Sequence, residues 1–541
     1  MTASTEPATD GPLKDITPCA GNYSVAWPSE RLARAQQRRH QQAAAASNAA
    51  GDDDALRRQM VALAERWLAP FKAQGVRLSD LTSRSGERND RALLDPAKVC
   101  PIVGVRRGSI LISIPNASSL RDRCLSGCAN RVYGSFGRRI LTVMRMLQTI
   151  LNAAHSNSGS LQSLATVDFA LKLCVDDTCH GEHEQHPVPF WSMVSCATAP
   201  SIPVVQWNTA DARDPDLAVW DGVLRHRRLL RQRAGVGGTT VKGSVVQGGG
   251  PGAGWAQRQA TAVFRGAINE NVATNSDWTF SRLLHRVRFR DRRWRRQGRL
   301  ALLYQRCQHP PRPPQPQILN VRIVSGTKRL AQVNDSAFWQ CVDSIHDAPK
   351  TIPLEQQAST YKYVVHVEGN GGWSDRLKHL YTSGMTVIKQ DMGVSEFFEP
   401  LFIPYRHYVP VDSALTNLSD AILWARANDQ QARQMAADAA TLAEQVLSER
   451  GLHMYMQELL VRYAALFART NHGAVEAEWD ALLPPSQTAH FQCDGVDGVD
   501  SATSCSFRGH TAASGKGGDD QGHELCSMRA ALDSRISDSL D

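Results

Sequence analysis

The chain has 541 residues, which is too many for one compact core, so we expect two or three domains with additional tails. Hydrophobic residues make up 42% and charged residues 21%, a composition that excludes a chain disordered over most of its length. The formal net charge of +8 is modest for this size, and no apolar run reaches the ~18 residues that a membrane span needs.

The cysteines and the N-terminus point to different compartments. The 12 cysteines are mostly isolated rather than paired as Cys-x-x-Cys, which favours disulfides in an oxidising compartment over zinc sites. Residues 1–30, however, lack the apolar segment of a secretory signal peptide. Either the coding sequence begins upstream of Met1 or the protein is not luminal. Sequons of the Asn-x-Ser type, which favour a luminal setting, occur at Asn22, Asn116, Asn334 and Asn417.

The first 95 residues are expected to be disordered apart from one short amphipathic helix. Residues 1–54 include an Ala/Gln/Arg-rich tract and end in three aspartates. Directly after these acids, apolar residues recur at helical spacing, which predicts a helix with one buried side. These apolar residues are Leu56, Met60, Leu63 and Trp67.

Residues 96–233 are expected to form a first α/β lobe. Apolar residues alternate on both sides of Arg107-Gly108, which predicts a β-hairpin. An apolar stripe over 140–151 predicts a helix, and the apolar run 166–173 predicts a strand. Glycines then concentrate in 234–254, which we take as a linker.

Residues 255–417 are expected to form a second lobe, because they contain a βαβ unit. The predicted elements are a strand over 361–367, a glycine-rich turn, a helix over 374–381 capped by Ser374, and a strand over 385–388. Such a unit predicts a parallel sheet. Residues 418–470 hold long Ala/Leu-rich helices, predicted over 418–447 and 453–469, and residues 471–541 are expected to be a disordered tail.

The turn of the βαβ unit is a candidate anion site. Open parallel sheets bind ligands where strands end and helices begin, and backbone N–H groups there favour a diphosphate. Glycines at 369, 371 and 372 would let the backbone approach, Ser374 offers a hydroxyl, and Arg376 could bind a phosphate through two hydrogen bonds. The alternative is a plain turn with a capping serine and a surface arginine.

Further arginines could replace a metal ion at this site. Arg265 follows a short apolar strand and Arg282 lies on a probable helix, whereas residues 255–417 contain no Asp-x-Asp pair to hold Mg²⁺ or Mn²⁺. Two more guanidinium groups would stabilise a departing anion without a cation. The alternative for Arg265 is a surface salt bridge.

Two acidic residues are candidates for a general base. Asp176 and Asp177 follow the predicted strand 166–173, where a carboxylate could accept the proton of an attacking hydroxyl. The alternative is an acid that only caps a turn.

The arginine-rich run 286–299 could bind phosphate, a membrane surface or nucleic acid, but it is also compatible with a solvated helix face or loop.

Taken together, these segments resemble the CAP10 domain of glycosyltransferase family 90, which includes the Rumi-like protein O-glucosyltransferases and fungal capsule xylosyltransferases. The resemblance covers roughly residues 100–470. It is carried by the order and spacing of several motifs: Phe264-Arg265-Gly266, Tyr361-Lys362-Tyr363, Glu368-Gly369-Asn370, Ser374-x-Arg376-Leu377, Ser383-Gly384, Lys389-Gln390, Glu396-Phe397-Phe398, Pro404 and His407-Tyr408-Val409-Pro410.

The resemblance implies a GT-B-like α/β fold, in which two Rossmann-like lobes face a cleft. It implies an inverting, metal-independent glycosyltransferase with a UDP-sugar donor, without a cofactor, that transfers glucose or xylose to a hydroxyl of a protein or glycan. Asp176, with Asp177 in reserve, would be the general base in the acceptor lobe. The donor would be bound by Arg265, Gly266, Arg282, Gly369, Asn370, Ser374, Arg376 and Glu396.

The family habit further implies the lumen of the endoplasmic reticulum or Golgi. Asp177 is not followed by the Trp/Tyr-Pro that usually comes after the base in the family. This departure leaves open a catalytically inactive CAP10-fold protein that binds glycans or proteins. Nucleic acid is not an expected partner.

Overall fold

The fold is known from a computed structural model, whose contacts divide the chain into two units, Met1–Ala55 and Leu56–Asp541. The structure describes residues 50–81, 100–113, 137–156, 161–174, 189–196, 200–205, 217–233, 254–267, 302, 317–325, 340, 352–367, 374, 376–413, 415–493, 505–509 and 524–528. Apart from the first turns of a helix that begins at Ala50, the described helices and strands all lie in the second unit. No helix in these ranges is long and apolar enough to cross a membrane.

The strands of the described residues form two large sheets and one small one. The strands in chain order are β1 Ile102–Arg106, β2 Ser109–Ser113, β3 Phe169–Cys174, β4 Phe190–Ser192, β5 Ser195–Cys196, β6 Ile202–Pro203, β7 Gln259–Ala267, β8 Leu319–Ser325, β9 Tyr361–His366, β10 Thr386–Gln390, β11 Val394–Ser395, β12 Val409–Val411, β13 Thr488–Cys493, β14 Cys505–Gly509 and β15 Glu524–Met528.

Helices cover the sheets. The α-helices within the described residues are α1 Ala50–Leu68, α2 Leu78–Leu81, α3 Gly137–Ser156, α4 Gln162–Thr166, α5 Leu217–Arg233, α6 Leu354–Thr360, α7 Arg376–Tyr381, α8 Leu418–Ala427, α9 Asp429–Val446, α10 Glu449–Thr470 and α11 Glu476–Leu482.

The first sheet is mixed and has the strand order β15-β14-β13-β2-β1-β3-β4-β6. Strands β3, β4 and β6 are parallel, and the remaining neighbours pair antiparallel. The predicted hairpin is confirmed as β1 and β2. Its two turn residues, Arg107 and Gly108, have φ of 49° and 78°, the left-handed values that a tight two-residue hairpin requires.

The second sheet is fully parallel and has the strand order β12-β10-β9-β7-β8. The predicted βαβ unit is confirmed as β9, α7 and β10, and the turn after α7 passes through Gly384 at φ 79°. The chain is therefore α/β, as predicted. In chain order the five strands occupy positions 2-1-3-4-5 across the sheet, which is a doubly wound arrangement.

The predicted helix over 418–447 is in fact two helices, α8 and α9, that meet at Asn428. Asn428 leaves the helical conformation, with φ −112° and ψ 47°. Its backbone N–H and its side-chain amide both donate to the carbonyl of Trp424, at 2.9 and 2.8 Å. An asparagine that closes the last turn in this way ends α8, although the Ala/Leu pattern continues beyond it.

The segment after residue 471, expected to be a loose tail, contains ordered elements. Helix α11 buries Trp479 and Leu482, and β13 adds to the first sheet beside β2 with Ala489 and Phe491 buried. The short alternating run in β13 was hidden by Gly, Ser and Asp in the surrounding sequence. The expected tail is therefore wrong for 476–493, and also for β14 and β15, which extend the same sheet.

Tyr463 of α10 packs against the first sheet. The hydroxyl of Tyr463 donates to the carbonyl of Ala170 at 2.8 Å, and its ring packs edge-on against Trp191 at 5.0 Å. One side of the helix α1 joins the same core through Met60 and Leu63, as its spacing predicted.

A disulfide between Cys100 and Cys174 joins the start of β1 to the end of β3, a pairing that the sequence could not give.

We expect Tyr463→Phe to lower the free energy of unfolding by about 1–3 kcal/mol, because the buried carbonyl of Ala170 would lose its hydrogen bond. Tyr405→Phe is the matched control, since Tyr405 is half exposed, and it should change stability by less than about 0.5 kcal/mol. Chemical denaturation of the three proteins measures both effects. Equal stability of Tyr463→Phe and wild type would show that this bond does not stabilise the core.

Candidate functional site

A crevice is expected where the second sheet reverses its order of winding. From β7 the chain continues to β8 on one side, and β9 lies on the other side of β7. The connections that leave β7 and β9 therefore diverge, and ligands of doubly wound sheets bind in the gap outside the carboxyl ends of such strands. Arg265 and Gly266 end β7, and Ser374 and Arg376 follow β9, so four residues predicted from the sequence flank this switch point.

Arg376 is fixed against the end of β7. Its Nη1 donates to the carbonyl of Arg265 at 2.6 Å, and its guanidinium lies 4.5 Å from the centre of the Phe264 ring. Gly266 provides the room: a Cβ there would lie 2.8 Å from the Phe264 ring and 3.5 Å from Nη1 of Arg376. The first residue of α7 is thereby attached to the strand across the switch point.

The guanidinium of Arg265 takes a different direction. It donates to the carbonyls of Phe264 and Asn320 at 2.8 and 3.0 Å and to Oδ1 of Asn320 at 3.2 Å. Successive strand residues point to opposite faces, so Arg265 and the Phe264–Arg376 stack lie on opposite faces of β7. Burial lowers the pKa of Arg265. The structure thus joins Arg376 to the backbone of Arg265 and leaves the two side chains on separate faces.

Ser374 precedes α7 and is partly buried. Its carbonyl accepts a hydrogen bond from the N–H of Leu377 at 3.0 Å. The helix begins at Arg376, so Ser374 lies two residues before it rather than in the adjacent capping position that the sequence predicted.

Buried arginines hold the other end of α7, and the sequence analysis missed them. Arg227 of α5 donates to Nδ1 of His379 and to Oγ1 of Thr382, both at 2.9 Å. Arg231 of α5 donates to the carbonyl of Thr382, and Arg258 to that of Gly384 at 2.8 Å. Burial lowers the pKa of each arginine to about 10, so all three remain charged at neutral pH. Cations are favourable at the carboxyl end of a helix.

Glu396 lies beside the carboxyl end of β10 and is 3% exposed. Its backbone N–H donates to Oε1 of Glu399 at 2.9 Å, and Oε2 of Glu399 lies 2.8 Å from Nζ of Lys389. Lys389 is in β10, directly opposite His366 of β9. The resemblance predicted Glu396 as a site residue, but the sequence analysis predicted neither its contact with Glu399 nor the pairing of Glu399 with Lys389.

The other predicted site residues lie outside the described part of the chain. These are the candidate bases Asp176 and Asp177, which follow the end of β3 at Cys174, and the donor-site residues Arg282, Gly369 and Asn370. The arginine-rich run 286–299 also lies outside it.

Comparison with known proteins gives a family and several partial relatives. Human Protein O-glucosyltransferase 3 is 33% identical over 104 residues, 19% of this chain and 20% of that protein. Danio rerio Protein O-glucosyltransferase 2 is 30% identical over 170 residues, 29% of this chain and 34% of that protein. Uncharacterized protein 179R of Invertebrate iridescent virus 6 is 27% identical over 158 residues, 28% of this chain and 13% of that protein.

Each similarity is therefore partial, because the chain spans between 13% and 34% of the length of these relatives. The family match is broader: the sequence model described as Glycosyl transferase family 90 matches residues 192–493, which is more than half of the chain. This range includes the whole parallel sheet, Arg376 and Glu396. The chain belongs to glycosyltransferase family 90, the family that its motifs resemble.

Proposed function

We propose that this protein transfers a sugar from a UDP-sugar to a hydroxyl of a protein or glycan acceptor, with inversion and without a metal ion. The observation that carries the proposal is the switch point of the parallel sheet. Arg376 is held there against β7 by a 2.6 Å hydrogen bond, next to Gly266, where a Cβ would collide with the Phe264 ring on which Arg376 lies. A guanidinium fixed at this edge suits the diphosphate of a nucleotide sugar.

In the proposed mechanism, the diphosphate lies beyond the ends of β7 and β9. Arg376 would stabilise the negative charge that develops on departing UDP, together with Gly369, Asn370 and Ser374 of the preceding turn and with Arg282. Arg265 would act through its backbone and its positive field, in keeping with its bonds to Asn320. Glu396 would accept hydrogen bonds from hydroxyls of the ribose or the sugar.

The two large sheets are proposed as the cores of two Rossmann-like lobes of the GT-B kind, facing a cleft. The parallel sheet would bind the donor and the mixed sheet the acceptor. Asp176 would follow the carboxyl end of β3 by two residues, so its carboxylate could remove the proton of the acceptor hydroxyl as that oxygen attacks the anomeric carbon. Asp177 is the reserve candidate.

The sugar and acceptor are proposed from the relatives. Two of them are named protein O-glucosyltransferases, which favours glucose as the sugar and a protein as the acceptor, with xylose and glycans as the alternatives.

The Cys100–Cys174 disulfide supports an oxidising compartment such as the endoplasmic reticulum or Golgi lumen. A catalytically inactive binding protein of the same family is the second candidate, and Asp177 without a following Trp/Tyr-Pro favours it.

We expect Arg376→Gln to weaken UDP binding about 10- to 150-fold, because a charge-assisted hydrogen bond worth roughly 1.5–3 kcal/mol would be lost. Arg406→Gln is the matched control, since Arg406 is an exposed arginine of the same sheet region. Isothermal titration with UDP measures both affinities. Equal affinity of Arg376→Gln and wild type would exclude Arg376 from the donor site.

We expect Asp176→Asn to reduce sugar transfer by roughly 10²- to 10⁴-fold, the usual contribution of a general base. The affinity for UDP should be unchanged, because the base would act from the acceptor side. Released UDP, measured with UDP-glucose, UDP-xylose and UDP-galactose, gives the rates. Full activity of Asp176→Asn together with an inactive Asp177→Asn would transfer the role to Asp177, and an inactive wild type that still binds UDP would support the binding protein.

We expect transfer to persist at full rate in EDTA, because guanidinium groups would supply the positive charge for the leaving diphosphate. The measurement is UDP release after prolonged dialysis against the chelator, with and without added Mn²⁺ or Mg²⁺. A rate that falls in EDTA and recovers with either ion would overturn metal independence and leave the rest of the proposal intact.

A further inference from the structure

A buried carboxylate next to Glu396 makes two directed contacts. Glu399 is 8% exposed, its Oε1 accepts the N–H of Glu396 at 2.9 Å, and its Oε2 pairs with Nζ of Lys389 at 2.8 Å. In return, the N–H of Glu399 donates to the carbonyl of Glu396 at 3.2 Å. Side chain and backbone thus close the turn from 396 to 399 and connect it to the carboxyl end of β10.

Lys389 keeps its charge in this ion pair despite burial. Burial lowers the pKa of Lys389, but the Glu399 carboxylate, with further contributions from Tyr408 and Asp391, more than offsets this and raises the pKa above its ordinary value. Lys389 also lies 5.5 Å from the centre of the Tyr408 ring. Because a buried ion pair gains little net stability, its position next to Glu396 favours a geometric role.

The turn is also fixed from its other side. The ring of Phe397, the residue after Glu396, stacks on Tyr455 of α10 at 4.6 Å, and the indole N–H of Trp67 donates to the carbonyl of Phe397 at 3.1 Å. A movement of Glu396 would therefore have to break either the contact of Glu399 with β10 or the contacts of Phe397 with α1 and α10. The side chain of Glu399 links this turn to the strand edge at which the donor would bind.

We infer that Glu399, supported by Lys389, is a positioning residue that fixes Glu396 for hydrogen bonding to hydroxyls of the UDP-sugar. The inference rests on the proposed function and extends it to two residues that would not touch the donor. Glu399 would act through the hydrogen bond from the Glu396 N–H, whereas Lys389 would hold the carboxylate in place.

The test compares two double variants, because Glu399→Ala alone would leave Lys389 buried without its counter-charge and could prevent folding. Lys389→Met/Glu399→Gln keeps an oxygen that accepts the Glu396 N–H, whereas Lys389→Met/Glu399→Met removes it at similar volume. We expect the second to raise the KM for the UDP-sugar, or to weaken UDP binding, at least tenfold relative to the first. Thermal unfolding of both confirms equal folding.

Glu396→Gln in both backgrounds distinguishes positioning from general damage. If Glu399 acts through Glu396, the difference between the two double variants should disappear once Glu396 is replaced, because coupled residues are not additive. An unchanged difference in the Glu396→Gln background, or equal KM and UDP affinity of the two double variants, would overturn the inference.

Hydrogen exchange gives a readout that does not depend on activity. The Glu396 amide should exchange slowly in wild type and in the Glu399→Gln double variant, and faster in the Glu399→Met double variant, as measured by NMR or by mass spectrometry of the peptide around 396. Equal exchange in all three would reject the positioning contact even in an active enzyme. A wild type that neither binds UDP nor releases it from UDP-sugars would instead reject the proposed function, and the positioning role with it.

Discussion

The parallel pairing of β7 with both β8 and β9 is the constraint on which the rest of the site depends. Because β7 is the first strand of its sheet in the chain and yet lies inside it, the connections from β7 and β9 must separate at their carboxyl ends. The same pairing aligns Val263 with Val364, which brings the carboxyl end of β7 level with that of β9. A crevice and the residues around it thus follow from one feature of topology.

Arginine side chains fix helix α7 beside the expected crevice. Arg376 spans the beginning of the helix and β7, whereas Arg227, Arg231 and Arg258 bond to groups at its end or in the turn after it. A buried charge is costly unless it is paired or hydrogen-bonded, so each guanidinium restricts where the helix can lie. A short helix without such contacts would be a poor scaffold for a charge that must be in place before a leaving group departs.

Local signals in the sequence predicted the βαβ unit at the centre of the parallel sheet. The apolar strand, glycine-rich turn and short helix after residue 361 have patterns that depend on near neighbours only, so β9, α7 and β10 could be assigned with their parallel pairing. The same patterns made Arg376 a candidate site residue, whereas Glu396 came only from the resemblance to the family. The order of strands, and with it the switch point, could not be read from periodicity because it depends on contacts between distant segments.

The wrong predictions of helix and tail also have physical causes, some of them local. Asn428 ends α8 through two bonds to one carbonyl, a geometry that an Ala-rich pattern conceals. Strand β13 is stabilised by pairing with β2 and β14, so its own short alternation was too weak a signal. The direction of the Arg265 side chain, which the sequence left open, depends on Asn320, whose neighbourhood arises only when β8 pairs with β7.

Glu399 and Lys389 illustrate how a site can contain charges that sequence reasoning assigns to the surface. Each alone in the sequence is compatible with a solvated side chain, and only the return of the chain after β11 brings them to 2.8 Å. Such a pair stabilises a fold less than apolar residues of the same volume would. The pair instead fixes an orientation. The Glu399 carboxylate, held by the ammonium group of Lys389, orients the backbone N–H of Glu396 and through it the Glu396 side chain. Preorganisation of this kind costs stability and reduces the reorganisation needed when the donor binds.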